Sequence, residues 1–197
     1  MMKKWSIAVT LVLLLVMMVA CGNTSSSTSS DRPEQGSAVQ EAALVVYFSR
    51  TGHTAAVAEE IQEQTGADVF EIVPAEAYSD DYDTVTAVAQ EEQNNNARPA
   101  IRDRIDNLDH YDTVYVGYPI WWGDMPMILY TFFDTYDLSG KTVRPFCTSG
   151  GSGLSQTVEA IRDLEPDATV TEGLHIRDAE DNQMSSEVTA WLTDSSV

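Results

Sequence analysis

Three short stretches of this chain carry residues whose types and spacing could do chemistry. Ser49-Arg50-Thr51-Gly52-His53-Thr54 sets three hydroxyls and a glycine ahead of a helical pattern. Hydroxyl donors, successive backbone N–H groups and the positive end of a helix dipole can together hold a phosphate monoester dianion. Gly52 lets the main chain come close to the oxygens. This loop has no Gly-Lys-Ser/Thr for a nucleoside triphosphate and no Gly-x-Gly-x-x-Gly for a dinucleotide. Taken alone, the same six residues serve equally well as an ordinary helix N-cap.

The second stretch is Tyr118-Pro119-Ile120-Trp121-Trp122-Gly123-Asp124. Adjacent side chains on an extended segment point opposite ways, so one indole can pack inward while the other is free to stack on a flat heterocycle. The alternative is that both only pack. The third stretch, Thr148-Ser149-Gly150-Gly151-Ser152-Gly153, is small enough for a planar ring to lie against main chain, whose N–H and C=O groups match a pyrimidine-like edge. Gly150-Gly151-Ser152-Gly153-Leu154 also approaches a nucleophile elbow, but Leu154 stands where the final glycine belongs and only His175 follows as a base. A hydrolase is therefore disfavoured. No catalytic acid or base is assigned, His110 and His175 read as ordinary surface or core histidines, and no cluster has metal-ligand spacing.

These loops need a scaffold that brings them together. Residues 44–48, 67–73, 112–118, 141–148 and 169–176 read as strands, and helical patterns span 55–65, 126–136, 154–163 and 185–192. Strands alternating with helices imply an α/β protein: a three-layer, doubly wound, five-stranded parallel sheet with helices on both faces. Such sheets bind ligands at the carboxyl ends of their strands, so chemistry is expected just after strands one, three and four, where the three stretches lie. Residues 75–107, acidic and rich in Gln and Asn, are longer than a crossover needs and are read as part of a second helix plus an insertion.

The first forty residues have another purpose. Met1-Met2-Lys3-Lys4, an apolar run from Ile7 to Ala20 and then Cys21 read as a signal peptide over 1–20. The stretch resembles a bacterial lipobox with Met18 in place of the usual Leu, which would make Cys21 the acylated first residue of an exported protein. It would sit on the outer face of the cytoplasmic membrane, or on the periplasmic or outer-membrane side. An uncleaved N-terminal membrane helix is the alternative. Residues 21–40 are Ser-rich with hardly an apolar residue to bury, so they read as a disordered tether. With 31 Asp and Glu against 11 Lys and Arg, the net charge of -20 repels nucleic acid and anionic headgroups. Cys147, in an apolar run, reads as a buried thiol.

The run Leu44 to Thr54 resembles the flavodoxin phosphate loop, Ser/Thr-x-Thr-Gly-x-Thr. Gly117 to Gly123, with Arg98-Pro99 upstream and Thr148 to Gly151 downstream, is similar to a bacterial flavodoxin-like subfamily, and the resemblance covers about 41–197. It implies strand order 2-1-3-4-5 with FMN at the switch point, flavodoxin being the stock example of that arrangement. By position, Ser49, Thr51, Gly52, His53 and Thr54 would hold the phosphate, Gly52 and His53 mainly through backbone, with Arg50 expected to face it. Pro119, Ile120, Trp121, Trp122 and Gly123 would line the isoalloxazine, and Thr148, Ser149, Gly150, Gly151, Ser152 and Gly153 its other margin. Flavodoxins commonly place an aromatic residue in that last loop; this chain has none there, so one flavin face is expected to be open unless Tyr78 or Tyr82 closes it. The implied function is electron transfer to a redox partner protein. The alternative is an FMN-dependent NAD(P)H oxidoreductase with a small acceptor such as a quinone.

Overall fold

The computed structural model describes residues 42–177, 179 and 183–194. The expected leader, Cys21 and the tether lie outside the described residues, as does Glu41. The sheet is wholly parallel. Strand β1 (Ala43–Tyr47) lies between β2 (Asp68–Glu71) and β3 (Thr113–Pro119), and β3 pairs onward with β4 (Thr142–Thr148). Beyond β4 come two short strands, β5 (Thr169–Val170) and β6 (Leu174–Ile176), which gives the order β2-β1-β3-β4-β5 with β6 also on β4.

Side chains alternate across the strands, and the alternation sorts the core into two layers. Val45 and Tyr47 of β1 pack with Val57, Ala58 and Ile61 of α1 (His53–Thr65) and Val188 of α5 (Met184–Thr193). Leu44, Val46 and Phe48 share the opposite layer with Ile128, Leu129 and Phe132 of α3 (Met127–Thr135) and Val158 and Ile161 of α4 (Thr157–Leu164). Removing each such side chain from water contributes about 1.5–3 kcal/mol. Gly117 of β3 lies directly opposite Phe146 of β4, and a Cβ at Gly117 would come within 2.1 Å of the Phe146 ring. That glycine is required for lateral room. Cys147 is fully buried, and burial pushes its thiol up to about 12.

The fifth strand departs from expectation because it is interrupted. Val143 pairs with Val170 and Phe146 with Leu174, so three steps along β4 face four along the edge. One extra residue enters at 171–173, as in a β-bulge. Its effect is a change of face: Val170 belongs to the α3/α4 layer, whereas Leu174 and Ile176, at the same parity, belong to the α1/α5 layer. The helix expected from 154 begins instead at Thr157, because Gly151, Gly153 and Ser155 all adopt positive φ and prolong the turn. Residues 75–107 hold a full helix, α2 (Tyr82–Asn94), and the excursion is closed by an antiparallel bridge between Pro74 and Ile101. Among the described residues, no helix is long and apolar enough to cross a membrane.

Candidate functional site

The β1–α1 and β3–α3 crossovers leave on opposite faces, so a crevice opens between the carboxyl ends of two neighbouring strands. On its β1 side, Gly52 takes φ 90° and starts α1, while its N–H donates to Ser49 Oγ at 3.2 Å. Ser49 thus folds the loop and does not cap the helix. No side chain caps α1, so its first-turn N–H groups are available to a ligand. Thr54 is buried, and its hydroxyl is 2.9 Å from that of Thr148 at the end of β4. One hydroxyl of such a pair donates to the other, leaving one proton to donate elsewhere.

On the β3 side, Trp121 and Asp124 exchange backbone hydrogen bonds of 2.8 and 3.0 Å around Trp122 and Gly123, both at positive φ, as in a type I′ turn. This turn separates the two indoles. Trp121 goes inward, edge-on to Phe48 at 5.4 Å and to Tyr78 at 5.2 Å between centroids. Trp122 is 54% exposed, and its Nε1–H donates to the Thr86 carbonyl of α2 at 2.9 Å. Asp124 ties the turn to α3 by accepting from the Met125 N–H at 2.7 Å and the Tyr130 hydroxyl at 2.9 Å.

On the β4 side, Ser149 Oγ accepts the Ser152 N–H at 3.1 Å and lies 2.8 Å from His175 Nε2. His175 reaches it because β6 is in register with the end of β4, Cys147 opposite His175. It engages Ser149, not the Ser152 of the would-be nucleophile elbow.

The loops enclose a cavity of about 560 Å³. Arg50, Thr51, His53 and Thr54 line it from the first loop, Pro119, Ile120, Trp121 and Trp122 from the second, and Thr148, Ser149 and Gly150 from the third. Ser49, Gly52, Gly123, Gly151, Ser152 and Gly153 do not line it. Gly123 instead borders a separate hollow beyond Trp122, with Asp124, Glu159 and Asp163. Arg50 borders the cavity, but its Nε and Nη2 donate to the backbone carbonyls of Ser79 and Asp80.

A fourth wall, of which the sequence suggested only Tyr82, completes the cavity. Tyr82, Val85, Thr86 and Ala89 present one stripe of α2 to the cavity at i, i+3, i+4 and i+7, and Arg177 adds a cation just after β6. The stripe was detectable as helical spacing within the acidic stretch, whereas nothing local marks Arg177. Of the two tyrosines considered for the open face, Tyr82 borders the cavity and is 72% exposed. Tyr78 is packed beneath Trp121, with its hydroxyl donated to Glu92 at 2.9 Å. Among the described residues no Asp or Glu lines this cavity, while Arg50, His53 and Arg177 do.

An uncapped helix start facing aromatic side chains across a switch-point crevice is the arrangement of a protein that takes a flat ring bearing a phosphate. Residues 42–195 match the family model described as Flavodoxin, and the chain belongs to the flavodoxin family. Among solved structures it is similar to a protein from Bacteroides eggerthii DSM 20697 described as a flavoprotein, with 37% identity, a TM-score of 0.69, and coverage of 77% of this chain and 95% of that one. A second such protein, from Bacteroides uniformis ATCC 8492, is 32% identical with a TM-score of 0.68, covering 78% of this chain and 99% of that one. A flavoprotein from Lactobacillus acidophilus NCFM, crystallised in complex with FMN, is 26% identical with a TM-score of 0.63 and the same two coverages, 78% and 99%. No curated protein matches the chain.

Proposed function

We propose that the cavity binds FMN and that the protein is an electron carrier, exported and held at a membrane through Cys21. The observation that carries the cofactor reading is the charge of the cavity: in a chain of net charge -20, the described residues that border it include three cationic or titratable basic side chains and no carboxylate. A dianion would be repelled almost anywhere else on this surface. The uncapped first turn of α1, with Thr51 and Thr54, would hold the phosphate; Trp122 and Ile120 would bound the ring, with Thr148 to Gly150 along its margin. FMN supplies the redox chemistry when bound, while these residues set its orientation and its access to solvent.

Tyr82 favours the carrier over the NAD(P)H oxidoreductase. Hydride transfer needs a second ring stacked on the flavin, and an aromatic side chain on the cavity wall competes for that position. A redox partner with a basic docking face suits the acidic exterior. The test is to purify the protein, look for bound flavin, and titrate it with dithionite and with NAD(P)H. Reduction in two separate one-electron stages without NAD(P)H oxidation is expected; steady NAD(P)H consumption with a quinone would replace the carrier by the enzyme. A colourless protein that FMN cannot reconstitute would end both readings. Mass spectrometry of the mature N-terminus tests the anchor, with acylated Cys21 the expected result.

A further inference from the structure

Arg50 sits between two residues of the phosphate loop, yet its hydrogen bonds lead away from that loop. Nε and Nη2 donate to the Ser79 carbonyl at 3.1 and 2.9 Å, and Nη2 also donates to the Asp80 carbonyl at 2.6 Å. These carbonyls immediately precede Asp81, which caps α2 by accepting the Thr84 N–H at 2.9 Å. One turn further on, Trp122 fastens the same helix through the Thr86 carbonyl. The first turns of α2 are therefore tied to two cofactor loops by two side chains, across 29 to 36 residues of sequence. The face they hold in place carries Tyr82, whose ring is largely exposed.

We propose that Arg50 is a positioning residue: its guanidinium staples the start of α2 against the phosphate loop, so that Tyr82 covers the flavin face that the glycine-rich β4 loop leaves bare. This deepens the FMN reading and rests on it. Arginine suits the task because its planar fork spans two adjacent carbonyls, which a lysine ammonium cannot reproduce. Its contribution to affinity runs through a wall that meets the ring, and not through charge on the phosphate. Removing Arg50 should then weaken every ligand that has the ring, with or without the phosphate.

The test uses the full chain and its Arg50→Ala, Tyr82→Ala and double variants. Hydrogen exchange on the flavin-free protein comes first. Amides of residues 82–89 in Arg50→Ala should exchange at least about tenfold faster, with β1, β3 and β4 unchanged; unaltered exchange over 82–89 overturns the staple. Dissociation constants for FMN and for riboflavin, the same ring without phosphate, are then measured at low and high salt. The staple predicts that both rise by the same factor, about tenfold, with the salt slope of the wild type retained. A loss confined to FMN, with a flatter salt slope, would identify Arg50 as a phosphate ligand and overturn the proposal. Coupling is the last readout: the double variant should lose little more than Arg50→Ala alone, and additive losses count against the proposal. If the wild type binds neither flavin, the function proposed above falls, while the exchange result still decides the staple.

Discussion

At the amino ends of the strands, Lys141 is buried and donates from Nζ to the Tyr111 carbonyl at 2.7 Å, and the Tyr111 hydroxyl donates to Asp68 at 2.8 Å. Asp137 accepts the Ser139 N–H at 2.9 Å. At the carboxyl ends, the first turn of α1 is uncapped, and Trp122 and Tyr82 stand exposed beside a cavity. One end of the sheet closes its polar groups on one another, and the other leaves first-turn N–H groups without a side-chain cap and ring faces exposed. Groups satisfied internally stabilise the fold; groups held in place yet unsatisfied can bind a ligand. Substitutions at the amino end should therefore move stability and spare flavin affinity, and those on the cavity should do the reverse.

The two adjacent tryptophans give the sharpest division: both border the cavity, but Trp121 packs inward while Trp122 stands exposed. Trp121→Ala removes an indole packed against Phe48 and Tyr78 and should cost about 3 kcal/mol of stability in a urea titration. Trp122→Ala should leave the midpoint almost unchanged and weaken FMN by about tenfold, read from fluorescence quenching. Equal effects of the two on both measurements would break the comparison.

Lys141→Met tests the amino end. It removes a buried ammonium and leaves the Tyr111 carbonyl without that donor, so a loss of about 1–2 kcal/mol in stability is expected. The FMN dissociation constant should not change; a weakened affinity would show that the two ends are coupled.

Glu165, at the C-terminal end of α4, provides an effect that depends on pH. Burial raises its carboxyl to about 6 from a usual 4.5, against the opposing backbone hydrogen bond from Leu138. A raised acid holds its proton longer in the folded than in the unfolded state. Stability therefore falls as pH rises from about 4.5 to 6, and the penalty is complete above that window. Glu165→Gln should be about 1–2 kcal/mol more stable than the wild type at pH 7 and equal to it near pH 4, by thermal melts across that range.

Much of this was legible in the residues themselves. Leu44 to Phe48 and Asp112 to Tyr118 are apolar runs of strand length, and alternation with helical patterns determined the sheet and the carboxyl-end placement of three loops. Those signals are local: period, turn residues and helix starts act over a few residues, so the chain displays them without folding. The Trp121-Trp122 dipeptide was likewise readable as one indole in and one out, although a turn with Trp122 and Gly123 at positive φ separates them, and not the extended backbone that the reading assumed. What the tertiary structure alone decided was long-range. The register along β4 put one extra residue at 171–173 and turned His175 toward Ser149. The packing of α2 made Tyr82 a wall of the cavity and gave the Arg50 guanidinium to Ser79 and Asp80. A side chain's type states which bonds it can make. Which of the competing partners it meets depends on chain separated by tens of residues and brought close only by the core.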